Sequence, residues 1–290
     1  MTTLLQRVKS RMAIFAHRKA RGMLDGEYGS VFRGRSLDFD DLRAYVPGDE
    51  VRDIDWKATA RHGSPLIKRY VAVRRQTVLL ITDTGRNMAA VAQGGETKKD
   101  IAVMALGVLG YLAHRHGDVV GLVSGDLVLT MTLPAKGGEA HLERLLRHVH
   151  SHASEDAARS SIEEQLEYVA RTIKGRHLLF VVADEIAANP ELDRLLHRLR
   201  VQHEILWLTI RDADLASAAE WYGVDDSSPL LSHLAQSPAV TAAYTRAAAE
   251  RDAGRENMLR QAGITEGSVA GTHDVITALF ALLERHRRAG

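Results

Sequence analysis

From residue 76 onward the chain alternates short apolar runs with stretches of helical periodicity, and few folds accept that pattern. Residues 77–82 (TVLLIT), 119–123 (VVGLV), 178–183 (LLFVVA) and 204–210 (EILWLTI) are almost entirely apolar and rich in β-branched side chains. A strand with one wet face alternates apolar and polar residues, whereas continuous hydrophobicity requires both faces to be covered, as in a parallel sheet. Between these runs lie Ile101, Met104, Ala105, Val108, Leu109 and Leu112, then Leu142, Leu145, Leu146 and Val149, then Leu192, Leu195, Leu196 and Leu199. Each set follows the i, i+3, i+4 rule of a helix with one buried face. The pattern predicts a doubly wound, mostly parallel α/β sheet, Rossmann-like, with helices on both sides. Residues 127–133 (LVLTMTL) follow VVGLV across Ser124-Gly125-Asp126, spacing that suits a hairpin and an antiparallel edge strand.

Three regions are expected. Residues 1–75 hold a basic helix over 3–20, with Leu5, Val8, Met12 and Phe15 at helical spacing, and then a charged segment. Packing of that helix on the main domain is favoured over membrane-surface binding, because its apolar face is short and has no tryptophan. The first 35 residues carry eight basic and two acidic side chains, and residues 36–55 carry seven acidic and two basic, so the two stretches are suited to pair with each other or with a partner. Residues 76–215 form the α/β domain. Residues 216–290 form a C-terminal helical segment, with helices near 239–262 and 273–287 separated by Gly263-Ile264-Thr265-Glu266-Gly267, after an irregular polar excursion over 213–240.

Composition removes several kinds of chemistry. The chain has no cysteine, which excludes disulfides, thiolate nucleophiles and thiolate metal sites. A net charge of +1 gives no global attraction to nucleic acid or anionic lipid. The longest apolar run, 101–113, is well short of the roughly 20 residues a membrane-spanning helix needs. Arg7, Lys9 and Arg11 interrupt any secretory-type apolar stretch. The expected location is the cytoplasm.

In open α/β sheets ligands bind beyond the carboxyl ends of the strands. Three runs here end in an aspartate: Asp83, Asp184 and Asp212. Such carboxylates either cap the following helix or hold a hard cation such as Mg²⁺, with Mn²⁺ or Ca²⁺ as alternatives. The first strand end reads Asp83-Thr84-Gly85-Arg86-Asn87-Met88 and resembles the metal-ion-dependent adhesion site (MIDAS) of von Willebrand A domains, Asp-x-Ser-x-Ser. That resemblance implies a metal held by Asp83, Asn87 and Asp184, with a threonine from a distant loop. The site would be degenerate: Gly85 stands where the first serine is expected, and residues 134–139 (PAKGGE) contain no hydroxyl.

Residues 34–61 (GRSLDFDDLRAYVPGDEVRDIDWKATAR) carry a longer signature. Its words Asp-Leu-Arg-x-Tyr-x-Pro-Gly-Asp and Arg-x-Ile-Asp-Trp-x-x-x-Ala-Arg resemble those of domain-of-unknown-function family 58, bacterial proteins with a von Willebrand A-like domain. The residues concerned are Asp41, Arg43, Tyr45, Pro47, Gly48, Asp49, Arg52, Asp53, Asp55, Trp56 and Arg61. By themselves they read as a turn (Pro47-Gly48-Asp49), apolar anchors (Tyr45, Ile54, Trp56) and arginines placed for bidentate pairing with aspartates. They suit a clasp on the chain's own domain or a protein interface. The resemblance implies a non-catalytic adaptor that works with a MoxR-type AAA+ ATPase in protein or complex maturation; neither nucleic acid nor a membrane span is expected, given the charge and the short apolar run.

An enzyme reading competes for the same residues. Asp49, Asp53, Asp55 and Lys57 superficially match the carboxylate-and-lysine metal site of nucleases and other hydrolases. Against it, the two halves are too close for paired strands and no broad basic groove is evident. His148, His150 and His152 alternate near a helix end and read as solvated helix-terminal residues rather than metal ligands. No Gly-x-Ser-x-Gly nucleophile elbow is present.

Overall fold

The computed structural model describes residues 3–18, 41–46, 49, 51, 54–69, 75–213, 221–223, 228–230 and 237–289. Its centre is a six-stranded sheet of β3 (Thr77–Asp83), β4 (Val119–Gly125), β5 (Thr130–Lys136), β6 (Leu178–Ala183), β7 (Glu204–Ile210) and β10 (Thr265–Val269). The spatial order is β10-β7-β6-β3-β4-β5, and every neighbouring pair is parallel except β4–β5. Counting only these strands, the order is that of a doubly wound sheet, with its topological switch between β3 and β6.

The unbroken hydrophobicity of the strands is explained by two cores. Val78 and Leu80 of β3, Leu178, Phe180 and Val182 of β6, and Leu206 and Leu208 of β7 face one of them. Their neighbours Leu79, Ile81, Leu179, Val181, Ile205 and Trp207 face the other. The first is closed by α1 (Leu4–Arg18), α3 (Lys98–Arg115), α4 (Glu139–His152) and α8 (Val275–Ala289), and the second by α5 (Ile162–Thr172), α6 (Pro190–Gln202) and α7 (Pro238–Gln261). Burying each large aliphatic side chain contributes about 1.5–3 kcal/mol, so covering both faces dominates the energetics.

The N-terminal helix packs on the main domain. Leu5, Val8 and Met12 are buried in the first core, and Phe15 stacks on Phe280 of α8 at 5.5 Å. A Cβ at Gly107 of α3 would lie 2.6 Å from Val8 Cγ2, so any larger residue there would require Val8 to shift. The Glu143 carboxylate accepts the N–H groups of Leu4 and Leu5, which suits the positive end of α1. Lys9 pairs with Glu139. The basic helix thus meets acidic residues of α4. The remainder of the basic stretch, and the acidic residues 36–40, lie outside the described residues.

Two expectations are corrected. The separator at 263–267 contains β10, an edge strand of the main sheet, and Val275, Leu279, Leu282 and Leu283 of α8 lie in its core. Residues 265–289 therefore complete the α/β sheet rather than forming a purely helical appendage. The hairpin strand begins at Thr130, not 127, because Asp126 Oδ1 accepts the N–H groups of Val128 and Leu129 and makes 126–129 the turn. The excursion after 213 includes a short hairpin of β8 (Trp221–Gly223) and β9 (Ser228–Leu230).

Candidate functional site: the carboxyl edge of the sheet

The signature segment forms a small unit. β1 (Asp41–Ala44) pairs antiparallel with β2 (Leu66–Arg69), and α2 (Trp56–His62) lies between them in sequence. Asp55 Oδ1 accepts the N–H groups of Lys57 and Ala58 and so caps α2, while Asp49 Oδ2 accepts the N–H of Val46. Both carboxylates of the nuclease reading with described partners thus serve their own turns. Ile54 bridges to Ile67, and Tyr45 is half-buried. Trp56 is 64% exposed, so of its two expected roles the one open to it on the described surface is contact with a partner rather than a clasp on its own domain. Arg61 is exposed in the last turn of α2. Pro47, Gly48, Arg52 and Asp53 lie outside the described residues, as do the side chains of Asp41 and Arg43.

At the carboxyl edge of the main sheet, Asp83 ends β3 and Asp184 follows β6, the strand hydrogen-bonded beside it. Asp83 is 2% exposed, and its Oδ1 accepts the N–H of Gly85 at 2.5 Å. Burial pushes its carboxyl up to about 7, against the opposing influence of the Gly85 N–H. The missing serine at position 85 has a structural counterpart. A Cβ there would fall 2.6 Å from Ser160 Cα and 2.7 Å from Ser160 Oγ, so residue 160 fills the space that a residue-85 side chain would need.

Asp184 has a different partner. Lys98, the first residue of α3, is 2% exposed and sends its Nζ to both Asp184 oxygens at 2.7 Å and to Asp212 Oδ1. Burial alone would lower the lysine, but the Asp184 and Asp212 carboxylates outweigh it and leave the ammonium raised. Burial raises Asp184 to about 6, opposed by Lys98. The Lys98 ammonium thus stands between the Asp184 and Asp212 side chains. Three N–H donors meet three carboxylate oxygens.

This geometry also tests the metal expected from the resemblance. Asp184, needed as a ligand, is occupied through both oxygens by Lys98. Asn87 Oδ1 is buried without a hydrogen-bond partner, but Asp83 is the carboxylate left for it to join. The loop at 134–139, expected to bring a threonine, leaves the antiparallel strand β5 at the opposite edge, where Lys136 pairs with Val120 at the start of β4. Among the described residues no three His, Asp or Glu side chains are grouped to hold an ion. The residues as arranged do not fit a divalent cation spanning Asp83 and Asp184.

Charge pairing continues outward from Asp212. Its N–H meets Glu185, which pairs with Arg211 and Arg251. Asp252 joins Arg211 to Arg255, and Arg255, 1% exposed, reaches Glu266 of β10 at 2.7 Å. This network fastens α7 to the sheet. Sequence reasoning named Asp212 but missed Lys98 and Ser160. Lys98 did leave one signal, since a lysine in the first turn of a helix opposes the helix dipole.

The same edge carries an apolar projection. The 126–129 turn follows Gly125, whose carbonyl accepts Thr84 N–H, so it stands beside the Asp83 loop. Leu127, Val128 and Leu129 are 51%, 81% and 58% exposed. Leu127 N–H bonds to the Arg159 carbonyl, and Gln165 Nε2 holds the Asp126 carbonyl and Thr130 Oγ1, so the turn is braced from beneath.

Comparison with known proteins agrees with the signature. The chain is 24% identical over 274 residues to the uncharacterized proteins Mb1516 of Mycobacterium bovis and Rv1480 of Mycobacterium tuberculosis, a match that covers 93% of this chain and 86% of each relative. Among solved structures, an aerotolerance-related membrane protein from Bacteroides fragilis superposes with a TM-score of 0.46 at 11% identity, covering 72% of this chain and 99% of that one. A von Willebrand factor type A protein from Catenulispora acidiphila gives 0.42 at 8% identity, covering 76% and 43%. No helix among the described residues is long and apolar enough to cross a membrane. The model of the protein family of unknown function DUF58 matches residues 41–253, most of the chain, and the protein belongs to that family.

Proposed function

We propose that this protein is a non-catalytic interaction module that presents the carboxyl edge of its sheet to a protein partner. The observation that carries the reading is the braced turn of Leu127, Val128 and Leu129, three consecutive exposed aliphatic side chains beside the Asp83 loop. Exposed apolar groups held on a rigid rim favour association, because covering them removes apolar surface from water without further ordering of the chain. The neighbouring acids support a binding role over a chemical one: Asp184 and Asp212 are tied to Lys98, and Asp83 is engaged by its own loop.

The resemblance of residues 34–61 to the family signature points to a MoxR-type AAA+ ATPase as the partner, with the protein acting as its adaptor in protein or complex maturation. The test is biolayer interferometry between the purified chain and such an ATPase, with and without a non-hydrolysable ATP analogue. A complex should form, and Val128→Asp combined with Leu129→Asp should weaken it about tenfold or more while leaving the melting temperature unchanged. Failure to form a complex in any nucleotide state would remove the ATPase from the proposal. A complex indifferent to the double substitution would remove the rim.

A further inference from the structure

The opposite side of the sheet ends in β10, whose outer edge pairs with no strand among the described residues. Arg211 N–H bonds to the Val269 carbonyl, so Val269 faces β7. In a parallel strand alternate residues direct their N–H and C=O to opposite edges. Val269, Gly267 and Thr265 therefore serve β7, and Glu266 and Ser268 turn their backbone groups outward. Two observations agree: the Glu266 carbonyl is met by Arg285 Nη2 at 2.6 Å instead of by β7, and Ser268 is exposed.

This edge forms part of a cleft of about 790 Å³ between α7 and α8. Five arginines and two glutamates, Glu256 and Glu266, line it. Arg211 and Arg255 are spent on carboxylates. The other three meet neutral oxygens. Arg200 donates to the carbonyls of Gly263 and His203, Arg260 to Asn257 Oδ1, and Arg285 to the Glu266 carbonyl. Arg260 and Arg285 are exposed.

We propose that this cleft binds an acidic segment of a partner protein in extended conformation, which adds a strand to β10. An open strand edge calls for a peptide backbone, and the uncompensated guanidinium groups call for carboxylates. Arg285 guards the edge in the free protein, as charged side chains commonly do on edge strands. On binding, the incoming backbone N–H takes the Glu266 carbonyl, and Arg285 moves to a carboxylate of the ligand. A second copy of this chain is a poor occupant, since pairing of two β10 edges would bring like-charged arginines together. The surface is separate from the Leu127–Leu129 rim, so failure of either proposal leaves the other standing.

The probe is a fluorescein-labelled ten-residue peptide of alternating Glu and Val, with a Lys-Val peptide of the same length as its counterpart. Fluorescence anisotropy with the full chain should show saturable binding of the acidic peptide, weakened by added salt, and none of the basic one. Arg260→Glu combined with Arg285→Glu should weaken binding about tenfold, as expected for rim charges that steer and retain a ligand. Hydrogen exchange of the native chain should slow at the Glu266 and Ser268 amides when the peptide is bound. Absence of binding, equal binding of the two peptides, or unchanged affinity in the double variant would overturn the proposal. So would protection that spares 265–269, self-association through this edge, or equally tight binding of a single-stranded oligonucleotide.

Discussion

Asp83 closes β3 and Asp184 follows β6, the neighbouring strand, so two carboxylates of similar origin share one edge of the sheet. Their surroundings differ in one respect that decides their chemistry. Asp184 receives a full positive charge from Lys98 through both oxygens, whereas Asp83 accepts the Gly85 N–H of its own loop. A buried ammonium keeps a carboxylate ionised where neutral donors only partly offset the loss of water. One edge thus holds a buried Lys98–Asp184 ion pair, its carboxyl raised to about 6, next to a carboxyl raised to about 7 with no charged partner in the same role. In a metal-binding domain one cation would serve both groups, and here a lysine serves only one of them.

The largest test of this contrast removes the cation. Lys98→Met keeps much of the side-chain volume but strands Asp184 and Asp212, and it should cost about 3–5 kcal/mol in chemical denaturation. Part of that loss should be recovered in Lys98→Met with Asp184→Asn, which no longer buries the Asp184 charge. If the single variant were as stable as the parent, the ion pair would have no structural weight.

Next in size is Gly85→Ser, which restores the von Willebrand A-type residue. Its Cβ would meet backbone atoms of Ser160 at 2.6–2.7 Å, so the 157–161 segment must shift. A destabilisation of about 1–3 kcal/mol is expected, measurable by the same denaturation. An unchanged midpoint, or a gain of divalent-ion binding by calorimetry, would show that residue 160 does not occupy that space.

Asp83→Asn should act in the opposite direction, with a pH signature. The native carboxyl titrates near 7 and the unfolded one near 3.8, so over that interval the native state holds more proton than the unfolded one. The Asp83 contribution to stability is then greatest below 3.8, falls as pH rises through 7 and is constant above it. The stabilising effect of the substitution should therefore grow between pH 4 and pH 7 and level off, reaching about 1 kcal/mol or more at pH 8. A difference that shrinks with rising pH in thermal melts would contradict a raised carboxyl.

The smallest effect belongs to Asp212→Asn. This side chain is 38% exposed, so water screens its half of the pairing with Lys98. A loss of under about 1 kcal/mol is expected. A loss matching that of Lys98→Met would mean that Asp212, rather than Asp184, is the principal partner.

Much of the architecture could be read from local pattern. β3, β4, β6 and β7 lie within a residue or two of the apolar runs, because a strand buried on both faces leaves an unbroken stretch of hydrophobic residues. β10 escaped notice since Thr265-Glu266-Gly267-Ser268 is polar, and its place is held by pairing with β7 and by Arg255 on Glu266. The candidate site was legible in its aspartates, which stand at the strand ends or within two residues of them. Its partners were not, since Lys98 stands 86 residues from Asp184, and Ser160 comes from a segment with no motif of its own.

Sequence alone determined the doubly wound sheet, the family signature and the presence of acids at the strand ends, because each is written in spacing along a single stretch of chain. Only the tertiary structure decided what those acids do. A carboxylate's charge state depends on which distant group is brought within about 3 Å of it and how much water is removed, and neither quantity is local. Packing placed the Lys98 ammonium between Asp184 and Asp212, put Ser160 against Gly85 and gave Asp83 the Gly85 N–H as its partner.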